Sequence, residues 1–131
     1  MDRYRQGPLK LKAQLFCGTE TAIGPGKAEL LDAIDREGSI SAAGRAMGMS
    51  YRRTWLLVDT MNRCWAEPLV EATAGGGASK GAHLTPCGRR VLDAYRALEA
   101  ALAKAADGPE LEALTVLLAG GPRPRRTPGR G

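Results

Sequence analysis

The stretch from residue 38 to residue 65, GSISAAGRAMGMSYRRTWLLVDTMNRCW, constrains this chain more than any other. It predicts two helices joined by a tight turn, the second opening on its cationic residues. Ser41 is the expected N-cap of the first helix, in which Ala43, Ala46 and Met47 recur at three- and four-residue spacing. Gly48 tolerates positive φ and is expected to stop it. Ser50 is the expected second N-cap, its side-chain oxygen placed to accept from the amide of Arg52 or Arg53. Trp55, Val58, Met61 or Asn62, and Trp65 form the expected buried stripe of the second helix. Tyr51, Arg52, Leu56, Asp59 and Arg63 then face largely outward, with Arg53 near the edge. Helix, glycine-containing turn, helix is the helix-turn-helix layout. In DNA-reading helices of this kind the first residues approach base edges in the major groove, where Arg bonds bidentately to guanine. The competing reading is an ordinary helical pair whose arginines are merely solvated.

Composition agrees with a polyanionic partner without requiring one. At 131 residues the chain is expected to form one domain with a tail, and its formal charge is +5. Arg supplies 14 of the 19 basic residues and is the better fork for phosphate and guanine. No run of about 18 apolar residues occurs, so no membrane span is expected. The N-terminus MDRYRQGPLKLK has no apolar signal core, which predicts a cytoplasmic protein. Cys17, Cys64 and Cys87 match neither a disulfide framework nor a zinc pattern, and Cys64 reads as a small buried apolar residue. His83 and Cys87 straddle a strand-to-helix junction, so no metal or other cofactor is expected there.

Before the organising stretch, LKLKAQLF alternates from Leu9 to Phe16 and predicts a half-buried strand with lysines on an exposed edge. A frayed basic arm is the alternative. Gly24-Pro25-Gly26 opens a helix whose apolar face is Leu30, Leu31 and Ile34, ended by Gly38. After Trp65, Leu69 to Ala72 and Ala82 to Leu84 are expected to pair as a hairpin around the loop TAGGGASKG. Behind a helix-turn-helix such a hairpin is a wing, with Gly75, Gly76, Gly77 and Gly81 in its loop and Lys80 in reach of a phosphate. The loop fits neither phosphate-cradle pattern, because no Gly precedes Lys80 and no Ser or Thr follows it.

Thr85-Pro86 opens a long helix, with Leu92, Tyr95, Leu98 or Glu99, and Leu102 recurring along it to about Ala106. That stripe is the candidate dimer seam: Leu92, Tyr95, Leu98 and Leu102. The boundary falls at residue 107, with residues 108–131 forming a short helix and an Arg-, Pro- and Gly-rich tail expected to be disordered. The fold class expected is mainly α with a small antiparallel β wing: a winged helix-turn-helix with a long C-terminal dimerisation helix. The candidate DNA-contacting residues are Ser41, Arg45, Ser50, Tyr51, Arg52, Arg53, Arg63 and Lys80. With one His, no paired acids at active-site spacing and no nucleophile motif, an enzyme is not expected.

The runs GSISAAGRAMGMSYRRTWLLVDTMN and PLVEATAGGGASKGAHLT, with a Gly three residues beyond that Thr, resemble the N-terminal DNA-binding domain of the ModE family of molybdate-responsive transcriptional regulators. The resemblance covers roughly residues 9–105. It implies a winged helix of LysR-related type and a homodimer built through the N-terminal strand region and the last long helix. It also implies an inverted-repeat operator in double-stranded DNA, near genes for molybdate uptake or molybdenum-cofactor metabolism. Carried onto this sequence, the recognition helix starts at Ser50, Tyr51, Arg52 and Arg53, and the wing is Gly75 to Gly81. The family's oxyanion-binding modules have no counterpart in residues 108–131, so the expectation is a stand-alone form without the usual molybdate pocket. A partner protein or an oxyanion effector is not identifiable from these residues. The other functional class the residues allow is a winged-helix protein-interaction or sensing module with non-specific DNA affinity only.

Overall fold

The computed structural model describes residues 5–73 and 81–126. Five helices and three small antiparallel sheets make up the described part, and none of its helices is long and apolar enough to cross a membrane. Helix α1 (Pro25–Glu37) begins on a proline, whose fixed φ and missing N–H suit a first helical position. Its apolar face, Leu30, Leu31 and Ile34 with Ala28 and Ala33, is fully buried. Gly38 ends it in the left-handed region, φ 77°, and donates its N–H to the Ile34 carbonyl at 2.9 Å. Helices α2 (Ile40–Ala46) and α3 (Tyr51–Cys64) follow, then strands β5 (Val70–Thr73) and β6 (Gly81–Leu84), helix α4 (Pro86–Ala106) and helix α5 (Pro109–Thr115).

The N-terminal region departs from expectation. The alternating run Leu9–Phe16 is not one strand. Residues Leu9–Lys10 (β2) fold back on Arg5–Gln6 (β1), and Leu15–Cys17 (β3) pairs with Glu20–Ile23 (β4). Two-residue turns, Gly7-Pro8 and Gly18-Thr19, close both hairpins locally. The segment between them has no strand neighbour; it is held by a helix instead, the Tyr95 hydroxyl donating to the Ala13 carbonyl at 2.8 Å. Leu9, Leu11 and Ala13 stay half-buried while Lys10, Lys12 and Gln14 are exposed, but Leu15, the last residue expected on the inner side, is 42% exposed, so the pattern reported sidedness only as far as Gln14 and not what pairs with it.

The core lies where α1, α2, α3, α4 and the roots of the hairpins meet. Ile23, Leu30, Leu31, Ile34, Val58, Met61, Leu69 and Leu92 are its largest fully buried apolar side chains, and each contributes on the order of 1.5–3 kcal/mol through burial. Helices α2 and α3 pack tightly at Gly44, where a Cβ would lie 2.2 Å from Thr54 Oγ1. The strand pair β5–β6 has the register Val70↔Leu84 to Thr73↔Gly81. Three devices fix its root. Asn62 of α3 accepts from the amides of Leu69 (2.9 Å) and Val70 (3.1 Å) and donates Nδ2 to the Val70 carbonyl (3.0 Å). The Ala82 amide donates to the Gly38 carbonyl at 2.8 Å. Thr85, the N-cap of α4, donates its hydroxyl to the Pro68 carbonyl at 2.7 Å and accepts from the Gly88 amide at 2.9 Å.

Helix α4 spends part of the expected dimer seam on this core. Leu92 and Tyr95 are buried within the single chain, whereas Leu98 and Leu102 are 38% and 39% exposed. On the other side of α4, Arg96 bonds Asp32 of α1 and Glu99 of its own helix, and Arg89 bonds Asp35 of α1 at 2.7 Å.

Two substitutions test how the hairpin and α4 are anchored. A Cβ at Gly88 would sit 2.1 Å from the Leu69 carbonyl oxygen, so Gly88→Ala is expected to destabilise the fold by about 1–3 kcal/mol in urea denaturation. Gly26→Ala, whose Cβ meets nothing within 4 Å, is the control and should be neutral or slightly stabilising. Asn62→Ala strands two partly buried amides and should cost about 1–3 kcal/mol by the same measurement.

Candidate nucleic-acid interface

The turn between α2 and α3 follows from its backbone groups. Gly48, at φ 70°, lets the chain reverse; its N–H reaches the Arg45 carbonyl and the Met49 N–H reaches the Gly44 carbonyl at 2.8 Å. This pair of bonds is a Schellman closure, and it satisfies carbonyls that α2 would otherwise leave open. The N-cap of α2 is Ser39, not Ser41. Ser39 has extended backbone and its Oγ accepts from the Ala42 amide at 3.0 Å, which lets the buried Ile40 begin the helix. Ser41 therefore lies in the first turn, half-buried, with Arg45 exposed one turn further on the same face.

Ser50 caps α3 as expected, its Oγ accepting from the Arg53 amide at 3.1 Å. Thr54 Oγ1 donates to the Ser50 carbonyl at 2.8 Å, so the first turn is braced from inside as well. Tyr51, Arg52 and Arg53 are all exposed there, and the turn contains no acidic residue. A helix N-terminus with unsatisfied amides and cationic side chains favours an anion such as phosphate.

Ion pairing separates these arginines from four others. Among the described residues, Arg36, Arg63, Arg89 and Arg96 each pair with a carboxylate. Arg45, Arg52 and Arg53 have no such partner. Arg63 differs in place as well as in pairing. It lies about 16 Å along the helix from Arg52 at ~1.5 Å per residue, and Asp59 Oδ2 accepts from its Nε at 3.0 Å. That hydrogen bond, with the charge of the same carboxylate, raises the Arg63 pKa further.

The buried stripe of α3 is Thr54, Val58 and Met61, with Trp65 partly buried behind them. Trp55 belongs to the outer face, 43% exposed, and meets Tyr51 edge-to-face at 6.1 Å between ring centroids. Residues 54, 58, 61 and 65 match a 3.6-residue period more closely than the expected set of Trp55, Val58, Met61 or Asn62, and Trp65; a polar Thr at its head hid the stripe. Leu56 is 55% exposed. Trp65 is oriented by donating its indole N–H to the Ala22 carbonyl at 3.2 Å.

A groove of about 690 Å³ runs between the start of α2, the outer face of α3 and the hairpin, touching Ser41, Tyr51, Trp55, Glu71 and Thr73. His83 bridges Glu71 and Thr73 across the hairpin, each at 3.1 Å. Gly81 is the first residue of β6, opposite Thr73. Gly75, Gly76, Gly77 and Lys80 lie outside the described residues. The structure thus brings Ser41, Arg45, Ser50, Tyr51, Arg52 and Arg53 to the α2–α3 end of the molecule and leaves Arg63 at the far end of α3. Cys17 is exposed, and Cys64 and Cys87 are intermediate. Burial, with a hydrogen bond to Cys17, pushes the Cys64 thiol pKa up.

No family model matches the chain. It is 48% identical over 86 residues to the molybdenum-pterin-binding protein MopB of Rhodobacter capsulatus, covering 66% of this chain and 32% of that protein. It is 47% identical over 79 residues to the molybdenum transport protein ModE of Azotobacter vinelandii, covering 60% and 29%. It is 35% identical over 99 residues to the DNA-binding transcriptional dual regulator ModE of Escherichia coli K12, covering 76% and 36%. None of these names is that of an enzyme. The chain spans about a third of the length of the curated relatives it matches, and its similarity is to proteins named ModE and Mop.

Proposed function

We propose that this chain is a ModE-type transcriptional regulator: a winged helix-turn-helix that sets the N-terminus of α3 in the major groove of duplex DNA. In this reading α2 crosses the backbone, the β5–β6 hairpin is the wing, and two copies engage an inverted repeat near genes for molybdenum uptake or molybdoenzymes. The observation that carries it is the charge arrangement at one end of the molecule. Arg45, Arg52 and Arg53 are exposed and unpaired among the described residues, while Arg36, Arg63, Arg89 and Arg96 are neutralised by carboxylates. An unpaired arginine in the first turn of a capped helix keeps its donors for phosphate or guanine. The similarity to ModE proteins, one of them named as DNA-binding, supports the same reading.

A protein-interaction module is the second reading, favoured by the exposed Tyr51, Trp55 and Leu56 on the same helix. Fluorescence-anisotropy titration of the chain's own upstream duplex, at several salt concentrations, separates the two. If Arg52 reads a guanine, Arg52→Ala weakens binding by about 1–3 kcal/mol and relaxes preference at one position. Arg63→Ala, at an ion-paired site, is expected to change affinity little. Binding by these 131 residues is expected to be the same with and without molybdate. Equal affinity for the upstream duplex and random DNA, with Arg52→Ala silent, would overturn the DNA reading in favour of a protein partner.

A further inference from the structure

Two of the three cysteines meet at the end of α3 that lies away from Arg52 and Arg53. Cys64 is the last residue of α3, and Cys17 is the last residue of β3. The fold brings them together although they are distant in sequence. Trp65, next after Cys64, donates its indole N–H to the Ala22 carbonyl of β4 at 3.2 Å. Strand β4 pairs with β3 through Phe16↔Thr21 and Cys17↔Glu20, which sets Cys17 close to that anchor. Leu15 of β3 and Trp65 also line one groove of about 540 Å³, together with Leu98 of α4. The Cys17 and Cys64 thiols share a hydrogen bond across this junction. Cys87 lines the same groove but packs against the core, so it serves as an internal control.

The two thiols differ in a way that suits a sequential oxidation. Cys17 is exposed and open to a small oxidant, whereas Cys64 is half-buried. Burial, and then the hydrogen bond to Cys17, raises the Cys64 pKa and holds that residue as the thiol. We propose that Cys17 and Cys64 are a redox-sensitive pair that closes to a disulfide within one chain when it meets hydrogen peroxide. In the first step the Cys17 thiolate attacks one peroxide oxygen. The O–O bond breaks, and the departing hydroxide joins the proton released by Cys17 to form water. Cys17 is then a sulfenic acid, oxidised by two electrons. In the second step the Cys64 sulfur attacks the Cys17 sulfur, the S–O bond breaks, and the leaving hydroxide takes the Cys64 proton as a second water. Two thiols and one peroxide thus give one disulfide and two waters. The loop so closed, residues 17–64, contains β4, α1, α2 and α3, so the bond ties the α2–α3 unit to the N-terminal hairpin and restricts its unfolded chain. The inference does not depend on what α3 binds.

Mass spectrometry of the full chain tests it, with iodoacetamide capping free thiols after brief exposure to hydrogen peroxide. The expected product is a single chain lighter by two hydrogens before capping, with one alkylated cysteine in place of three. Non-reducing digestion should then recover Cys17 and Cys64 in one linked peptide pair and Cys87 alkylated, and dithiothreitol should restore all three thiols. Urea supplies the contrast: Cys64 and Cys87 are nearer in sequence, so their shorter loop closes more readily in the unfolded chain and the preference for Cys17 is expected to disappear. Cys64→Ser is expected to stop at the Cys17 sulfenic acid, which dimedone traps. Cys17→Ser is expected to slow oxidation of Cys64 about tenfold, since the half-buried thiol then meets the peroxide alone. Three alkylated cysteines after excess peroxide would sink the proposal. So would a folded chain that accumulates sulfenic acid on Cys17 beside a free Cys64, or that links either residue to Cys87 or to a second chain instead.

Discussion

One carboxamide joins the helical part of this molecule to its hairpin. Asn62 accepts from two consecutive amides, those of Leu69 and Val70, and returns a hydrogen bond to the Val70 carbonyl. Those groups lie at the start of β5, where the partner strand does not satisfy them all, and leaving them bare in a partly buried place would cost more than the bonds themselves contribute. Leu69 is also completely buried, and its carbonyl accepts from the Thr85 amide, so the start of α4 is set by the same residue. The Gly88 backbone lies directly against that carbonyl. The orientation of α3 relative to the hairpin, and of both relative to α4, thus passes through the few residues around one asparagine.

The outer surface is divided by charge more than by residue type. On the α1–α4 side, arginines meet Asp32, Asp35 and Glu99, and within α3 Arg63 meets Asp59. The exposed pairs among these, such as Arg63 with Asp59, add little to stability, yet each one takes a cation out of circulation. Among the described residues, no carboxylate pairs with Arg45, Arg52 or Arg53 at the α2–α3 end. The same side chain is therefore ion-paired on one face and left with its donors exposed on another, and its neighbours decide which.

Helix α4 is apolar on two sides for two reasons. Its inward residues, Leu92 and Tyr95, complete a small core and tether the N-terminal segment through the Tyr95 hydroxyl. On its outward side Val91 still packs against the core, whereas Leu98 and Leu102 are exposed. Glu67 and Arg90 lie beside this side of the helix, in the groove that Leu98 also lines.

Much of the local structure was legible in the sequence because local signals carry it. Pro25 and Gly38 bound α1, Gly48 and Ser50 make the turn into α3, and Thr85-Pro86 opens α4, each by satisfying or removing backbone groups within a few residues. The cluster Ser50, Tyr51, Arg52 and Arg53 was legible for the same reason, since cap and first turn are adjacent in sequence. What the sequence could not decide was pairing across distance. The Leu9–Phe16 alternation reported a sidedness that two separate hairpins and a helix share, so a continuous strand was expected where none forms. Ser39 rather than Ser41 caps α2 because Ile40 is drawn into the core, and Trp55 faces outward because Thr54 fits against Gly44. Whether an arginine is neutralised likewise depends on carboxylates brought from other turns and helices. Sequence determined where the chain turns and starts its helices, because caps and turns are short-range. Tertiary structure alone decided which side chains are buried, paired or left exposed, because those outcomes depend on neighbours tens of residues away.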